Sequence, residues 1–441
     1  MFISRKTELF VLVAGDLISM VLALWFTLAV RYGGPVGEGL LITHALAFAP
    51  VFFLWIIGYY IFNLYGKLTV ARERTLPRTI LQAQVWNSVV AALVFYFIPR
   101  FGVTPKTNLF IDLALSFIFI LTWRILIVPR LLRRKPEHLL VVGDGPETEE
   151  LVSELRDNHR YDYTLHRVLA VSNSADVRRV MGSYPISAII FRQHSVTEQR
   201  ALAELGLDRL FNVRLLDKDR LYENLFDRVP LSQVNEQWYF EYGSLEVHGG
   251  YALLKRTTDI VVALMLGLLS LVVYPFVWLA IKIDDGGRVF IVQERIGLAG
   301  VVFGALKLRT MSSNDNGEWG NPGKDARVTR VGRILRASRI DELPQLWNVL
   351  VGDLSLVGPR PDIIALGKRL ADDIPYYSVR TMVQPGLSGW AQINQDLPPR
   401  STEETRERLT YDFYYLKHRS FWLDVKILLR TVKTLLSRSG L

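Results

Sequence analysis

Four runs of apolar residues, near positions 9–30, 45–65, 79–99 and 109–129, each approach the ~20 residues a helix needs to cross a hydrocarbon layer. A fifth, Ile260 to Ile283, is equally long but carries Pro275 near its centre, which removes one helical hydrogen bond and supplies a break point. Between them the pattern changes. Short apolar runs such as His138 to Val142, Arg167 to Val171, Ile186 to Phe191 and Val213 to Leu216 alternate with helix-like stretches, Thr148 to Asn158 and Thr197 to Leu210. That rhythm predicts a small Rossmann-like βαβ domain with a parallel sheet. Near the C-terminus, Phe421, Trp422, Val425, Leu428 and Leu429 interleave with Lys426, Arg430, Lys433 and Arg438, a pattern that suits either a headgroup-level amphipathic helix or a core helix.

The fold class expected is therefore a membrane protein, α plus α/β. Residues 1–135 form a four-helix transmembrane bundle, 136–245 the Rossmann-like domain, and 250–441 a third domain holding the fifth run, 260–283. Half of the chain is hydrophobic and mean hydropathy is +0.20, more than a soluble protein of 441 residues needs. Net charge is +9, from 52 Lys and Arg against 43 Asp and Glu. Its distribution points to anionic lipid and phosphate and not to nucleic acid. Arg5, Lys6, Lys67, Arg72, Arg74, Arg78, Arg130, Arg133, Arg134 and Lys135 flank one side of the four spans, whereas Arg31, Arg100 and Lys106 flank the other. The positive-inside bias then places both ends of the bundle in the cytoplasm. Basic flanks on both sides of the fifth run argue that it enters and returns on the same face, while hydropathy alone fits a kinked crossing helix equally. With no cysteine, disulfides, thiolate catalysis and Cys-based metal sites are excluded. Asp16, Asp112 and Arg124 lie in or near the spans, and interhelical pairing is the favoured reading for them.

Chemistry concentrates in the stretch from Asp341 to Pro361. Pro344 is tolerated only in a first helical turn, so a helix begins near Asp341 with Asp341 and Glu342 at its positive end. Leu343, Leu346, Trp347 and Leu350 then form the buried stripe, Gly352 the left-handed cap, and Gly358-Pro359-Arg360-Pro361 a stiff turn that fixes one guanidinium. The helix start should keep Asp341 ionised and bind phosphate oxygens. Glu342, about 100° further round the helix, suits Mg²⁺ or water. Proline framing fits Arg360 for bidentate phosphate recognition, and Lys307 and Arg309 alternate on a probable strand so that both could clamp one diphosphate. Arg327, Arg330, Arg333, Arg336 and Arg339 recur every third residue, a spacing that a solvated or lipid-facing stripe would share. The loop Gly143-Asp144-Gly145-Pro146 lacks the third glycine of a dinucleotide fingerprint, and Glu147, Glu149 and Glu150 put negative charge where a pyrophosphate would rest, which favours a structural or regulatory module.

The same stretch closely resembles the signature of the polyprenyl-phosphate sugar-1-phosphate transferases, the large monotopic phosphoglycosyl transferases. The resemblance extends through Lys255 to Asp259, Gln293 to Gly297, Lys307 to Met311, Pro385 to Gln392 and Asp412 to Tyr415, in order. It implies a re-entrant helix–break–helix at 260–283. It also implies that Asp341 is a nucleophile attacking the sugar-linked phosphate of a UDP-sugar, releasing UMP, and that undecaprenyl phosphate then accepts the phosphosugar. Mg²⁺ is the expected cofactor, held by Asp341 and Glu342. Tyr377, Arg380, Gln392 and Asp412 match family positions and are expected to orient substrate, alongside Lys307, Arg309 and Arg360. The expected setting is the bacterial inner membrane with the soluble parts facing the cytoplasm, and a homodimer is compatible with it. Thr381 stands where the family often has histidine, and Asn394 to Arg400 replaces its usual glycine-rich loop.

Overall fold

A computed structural model describes residues 5–66, 76–97, 106–131, 137–157, 163–169, 174–193, 195–204, 213–243, 249–312, 327–395 and 397–437. Lys67, Arg72, Arg74, Arg100, Arg133, Arg134 and Lys135, used above to orient the spans, lie outside those residues, as does Arg438 of the C-terminal pattern. The chain divides into two compact units, Met1–Lys218 and Asp219–Leu441.

In the first unit, helices Arg5–Tyr32, Glu38–Ile61 and Leu76–Phe97 are followed by Lys106–Thr122, which continues through a π turn, Trp123–Ile127. All four are long and apolar enough to cross a membrane. Their shared core includes Leu24, Phe48, Trp55, Ile80 and Ile120. A Cβ on Gly15 would fall 1.9 Å from the Trp123 ring, so the first and fourth helices approach closely only because glycine stands there. Arg124, in the π turn, donates to Asp16 (Nε to Oδ1, 2.9 Å) and to the Leu64 carbonyl (2.6 Å), while Tyr65 donates to Asp16 at 2.8 Å. Interhelical pairing thus accounts for Asp16 and Arg124. Asp112 is buried, and among the described residues neither of its carboxylate oxygens has a hydrogen-bond partner.

The remainder of this unit holds a four-stranded parallel sheet, order β2-β1-β3-β4, from β1 (Glu137–Val142), β2 (Tyr163–Leu169), β3 (Ala188–Phe191) and β4 (Arg214–Asp217). Leu139 to Val142 are fully buried, as a continuous apolar run in a parallel strand requires. Gly143 and Gly145, after β1, have φ of 132° and 95°. Buried Lys218 stands over this loop and donates to Thr148 at 2.8 Å, and Glu198 also lies against Gly143. The protein's own side chains occupy the cradle.

The boundary at Lys218 precedes the one expected near 245. Val229, Val234 and Trp238 are core residues of the second unit, packed with Leu409, Phe413 and Trp390, and Trp390 Nε1 donates to the Asp227 carbonyl at 2.9 Å. The segment is irregular in backbone, and the packing of its apolar side chains is what places it with the second unit.

The second unit is built on the helix Gly249–Asp284, which contains Pro275 and, unlike the expected helix–break–helix, is continuous. A proline withdraws only its own N–H, and the flanking bonds carry the helix on. Both ends of this helix are tied to one domain. At the start, Lys255 donates to the Val357 carbonyl (2.8 Å) and Asp424 (3.0 Å), Arg256 to the Val349 and Leu350 carbonyls (2.6 and 2.8 Å), and Asp259 accepts from Leu356 N–H (3.0 Å). At the end, Asp284 accepts from Val331 N–H at 3.0 Å, and Val277 and Ile281 pack on Leu308 and Leu335. Between them Met265, Leu269, Val272 and Phe276 are exposed. The C-terminal helix Phe421–Ser437 buries Ile427 and Asp424 in the core and leaves Trp422 exposed. Lys426 and Arg430 lie over the Trp390 ring.

Candidate active site

Asp341 and Glu342 stand in a 3₁₀ turn, Ile340–Gln345, which leads into the short helix Leu346–Val351. Pro344 is in the first turn and Gly352 (φ 106°) closes the helix, as the sequence predicts. Arg339, at φ 57°, makes the sharp entry into the turn. Trp347 departs from expectation: it is 62% exposed, because the initial 3₁₀ turn advances fewer residues per turn than an α-helix and rotates the apolar stripe. Leu343, Leu346 and Leu350 do pack inward.

The helix is held against the antiparallel pair β5 (Phe290–Ile296) and β6 (Val302–Leu308) by Asn348, which accepts from Leu306 N–H (3.0 Å) and donates to the Gly304 carbonyl (2.8 Å). That contact brings Lys307 to the acids. The opposite wall comes from the segment after β7 (Ser355–Val357), which pairs in parallel with β8 (Gly386–Ser388). A Cβ on Gly358 would lie 2.2 Å from the Gln384 carbonyl, and one on Gly386 2.0 Å from Gly358 N. The two glycines let the Gly358 to Pro361 and Pro385 to Trp390 turns meet backbone to backbone.

Three cations surround Glu342. Arg360 Nη2 lies 2.5 Å from Oε1, and Lys307 Nζ and Arg339 Nη1 each lie 3.9 Å from it. Burial opposes the Glu342 charge, but Arg360 and then Lys307 overcome that and hold its pKa well below the usual carboxylate range. Asp341 is in the opposite situation. It is 7% exposed, no hydrogen bond or ion pair reaches its carboxylate among the described residues, and Oδ1 is buried without a partner. Burial, then the Glu342 charge, raise its pKa to about 6 against the pull of Lys307 and Arg360. With a pKa near 6, Asp341 is still ionised at neutral pH, though burial makes it more basic than an ordinary aspartate. Burial also lowers the Lys307 ammonium to about 8, although Glu342 acts to raise it.

Beside this centre lies a saturated knot. Arg380 donates to Asp412 (Nε to Oδ2, 3.0 Å), to Tyr377 Oη (3.0 Å), to the Arg360 carbonyl (2.9 Å) and to Asp362, and Tyr377 donates to Asp362 at 2.8 Å. Tyr377, Arg380 and Asp412 thus fix the backbone of Arg360 and have their polar groups engaged within the protein. Two expected residues stand elsewhere. Arg309 pairs with Asp285 at 2.9 Å, so it does not share a clamp with Lys307, and Arg360 spends its fork on Glu342. Gln392 donates weakly to the Leu387 carbonyl (3.4 Å), with its Oε1 buried and unpartnered. The sequence reading passed over Asp362, whose place beside the Gly358 to Pro361 turn was the available signal, and Asp424, which binds Lys255, Tyr251 and Tyr415. Arg339 was seen only as part of a stripe.

Among the described residues no three His, Cys, Asp or Glu side chains gather as a metal cage. A magnesium ion needs no such cage: it commonly takes one or two carboxylates plus substrate phosphates and water, and the free Oδ1 of Asp341 fits that donor role. Glu342, already neutralised by cations, fits it less well.

Residues 250–438 match the family model described as bacterial sugar transferase. The chain is 38% identical over 224 residues to the UDP-N-acetylgalactosamine-undecaprenyl-phosphate N-acetylgalactosaminephosphotransferase of Aeromonas hydrophila, covering 50% of this chain and 52% of that protein. It is 45% identical over 186 residues to the UDP-glucose:undecaprenyl-phosphate glucose-1-phosphate transferase of Caulobacter vibrioides, covering 42% of this chain and 70% of that protein. Similarity reaches further along the chain with the UDP-galactose-lipid carrier transferase of Erwinia amylovora, 29% identical over 74% of this chain and 76% of that protein. The family model spans the segment that carries Asp341 and its cations, the match at 45% identity covers more than two thirds of its partner, and the chain belongs to the bacterial sugar transferase family.

Proposed function

We propose that this transferase moves a hexose-1-phosphate from a UDP-sugar to undecaprenyl phosphate, the initiating step of exopolysaccharide, capsule or O-antigen assembly. The observation that carries the reading is the contrast at Asp341 and Glu342: one carboxylate is buried, unpartnered among the described residues and made more basic by its surroundings while still ionised at neutral pH, and its neighbour is locked by cations. An Asp341 oxygen attacks the sugar-linked phosphorus, an O–P bond forms, and the bond to UMP breaks with its electron pair leaving on UMP. An oxygen of undecaprenyl phosphate then attacks the same phosphorus, the acyl phosphate opens, and the Asp341 carboxylate is restored. No proton has to move in either step. Lys307, Arg339 and Arg360, oriented by Glu342, present positive charge to the diphosphate so that an anionic nucleophile can approach. Mg²⁺, when held by Asp341 with Glu342 nearby, supplies further neutralisation of the donor phosphates.

Four spanning helices anchor the chain in the bacterial inner membrane, with the Rossmann-like and catalytic parts on the cytoplasmic side. For the fifth apolar helix, attachment of both ends to one domain supports a place on one face of the membrane, since crossing would put ~30 Å of hydrocarbon between the parts of that domain that hold its two ends. The test is a panel of radiolabelled UDP-sugars with undecaprenyl phosphate and Mg²⁺, run on wild type and Asp341→Asn. Lipid-linked label from one or two donors, absent in the variant, is the expected result. Unchanged transfer by the variant would remove Asp341 as nucleophile, and no UMP release from any donor would favour a scaffold without catalysis.

A further inference from the structure

The buried face of helix Thr402–His418 carries a charge that the scheme above leaves unused. Thr405, Leu409, Asp412, Phe413 and Leu416 point inward from this helix, and Arg408, one turn before Asp412, lies on the same face. Its neighbour Asp412 is taken by Arg380 (2.8 Å). Asp362 is taken by Arg380 and Tyr377, and Glu342 by Arg360. Among the described residues Arg408 makes no hydrogen bond or ion pair, and its Nε is buried without a partner. Arg408 is half-buried, with Nε shut from solvent and the Nη groups open to it, so the guanidinium keeps donors that an incoming anion can reach although Asp412 and Asp362 lie near.

The position says which anion. Arg408 stands near the Asp412–Arg380 pair, and Arg380 in turn holds the carbonyl of Arg360, the arginine that pairs with Glu342, so Arg408 borders the network that carries the site's cations. Burial works to lower its pKa, with Arg380 and Arg360 adding to that and Asp412 and Asp362 opposing it. Such a group gains most from a multiply charged oxyanion.

We propose that Arg408 is a substrate-binding residue that receives a phosphate oxyanion of one of the two substrates. The assignment rests on the transfer reaction proposed above. The oxyanion belongs to the diphosphate of the donor or to the phosphate of the lipid acceptor, and the two sources separate kinetically.

The experiment compares full-length wild type, Arg408→Met and Arg408→Lys. Thermal unfolding is followed with and without inorganic phosphate, and KM is measured for the UDP-sugar and for undecaprenyl phosphate. Without phosphate, Arg408→Met should melt close to wild type, because a side chain that makes no hydrogen bond or ion pair among the described residues has been replaced by one of similar length. It should lose the phosphate-dependent rise in Tm that wild type shows. Its KM for one substrate should rise about tenfold or more while the other changes by less than about twofold, and Arg408→Lys should recover most of the loss. A raised KM for the UDP-sugar assigns the donor, and one for undecaprenyl phosphate assigns the lipid. An equal phosphate effect in wild type and Arg408→Met with both KM values unchanged would overturn the proposal. So would a large drop in Tm of the phosphate-free Arg408→Met protein, which would make Arg408 structural. If wild type transfers no sugar at all, the reaction assigned above fails, and the phosphate-dependent melting still decides Arg408.

Discussion

Asp341 and Asp412 are both buried aspartates on short-range neighbours of the same arginine network, yet only one is satisfied. Asp412 shares Arg380 with Asp362 and Tyr377 in a closed knot. Asp341 lies beside Lys307 and Arg360 and accepts a hydrogen bond from neither. Charges whose partners are all internal hold a shape. A charge kept near cations but out of hydrogen-bonding contact is available for chemistry, and the knot exists to keep Arg360, and through it Glu342, in place beside it.

The comparison is broken most sharply by exchanging the two acids for amides. Asp341→Asn should reduce transfer by more than about a thousandfold in a steady-state assay. The same variant should unfold at a somewhat higher temperature. A carboxylate whose pKa is raised by burial withdraws stability as pH climbs from the ordinary carboxylate range through about 6, and the amide removes that loss. Asp412→Asn and Arg380→Met should behave in the opposite way in denaturant unfolding, Arg380→Met losing about 3–5 kcal/mol because Asp412 and Asp362 are left buried without their partner, and Asp412→Asn losing less because Arg380 keeps Asp362. A stabilised Asp412→Asn would show that the knot is not structural.

A milder perturbation is pH. The donor half-reaction needs Asp341 ionised and Lys307 charged, so kcat/KM for the UDP-sugar should fall below about 6 and again above about 8. Removing the Lys307 charge with Lys307→Met should abolish the alkaline limb and leave the acid one. The smallest effect is expected at Trp347, which the sequence places in the core and the structure places at the surface. Trp347→Ala should change unfolding free energy by less than about 0.5 kcal/mol, and a loss of several times that would restore the buried stripe.

What could be read from the chain follows the range of the forces involved. Pro344, Gly352 and the apolar runs act through their own backbone and nearest neighbours, so the helix start, its cap, the long helices and the parallel strands were legible. So were Asp341 and Glu342, from a family resemblance in contiguous motifs. The partners of Glu342 were not, because Lys307 and Arg360 reach it from opposite sides of the fold. Arg309 was misjudged for the same reason: strand alternation gives a face, but Asp285, across the start of the hairpin, captures the side chain. The shift of the domain boundary to Lys218 turned on Val229, Val234 and Trp238, whose destination only packing reveals.

The most direct test is to incubate the wild-type protein with a turned-over UDP-sugar and Mg²⁺ in the absence of undecaprenyl phosphate. The account predicts close to stoichiometric UMP and a mass increase of one hexose phosphate localised to the peptide bearing Asp341, discharged when the lipid is added. UMP that appears only once the lipid is present, from a protein that completes the transfer yet never carries the added mass, would contradict it.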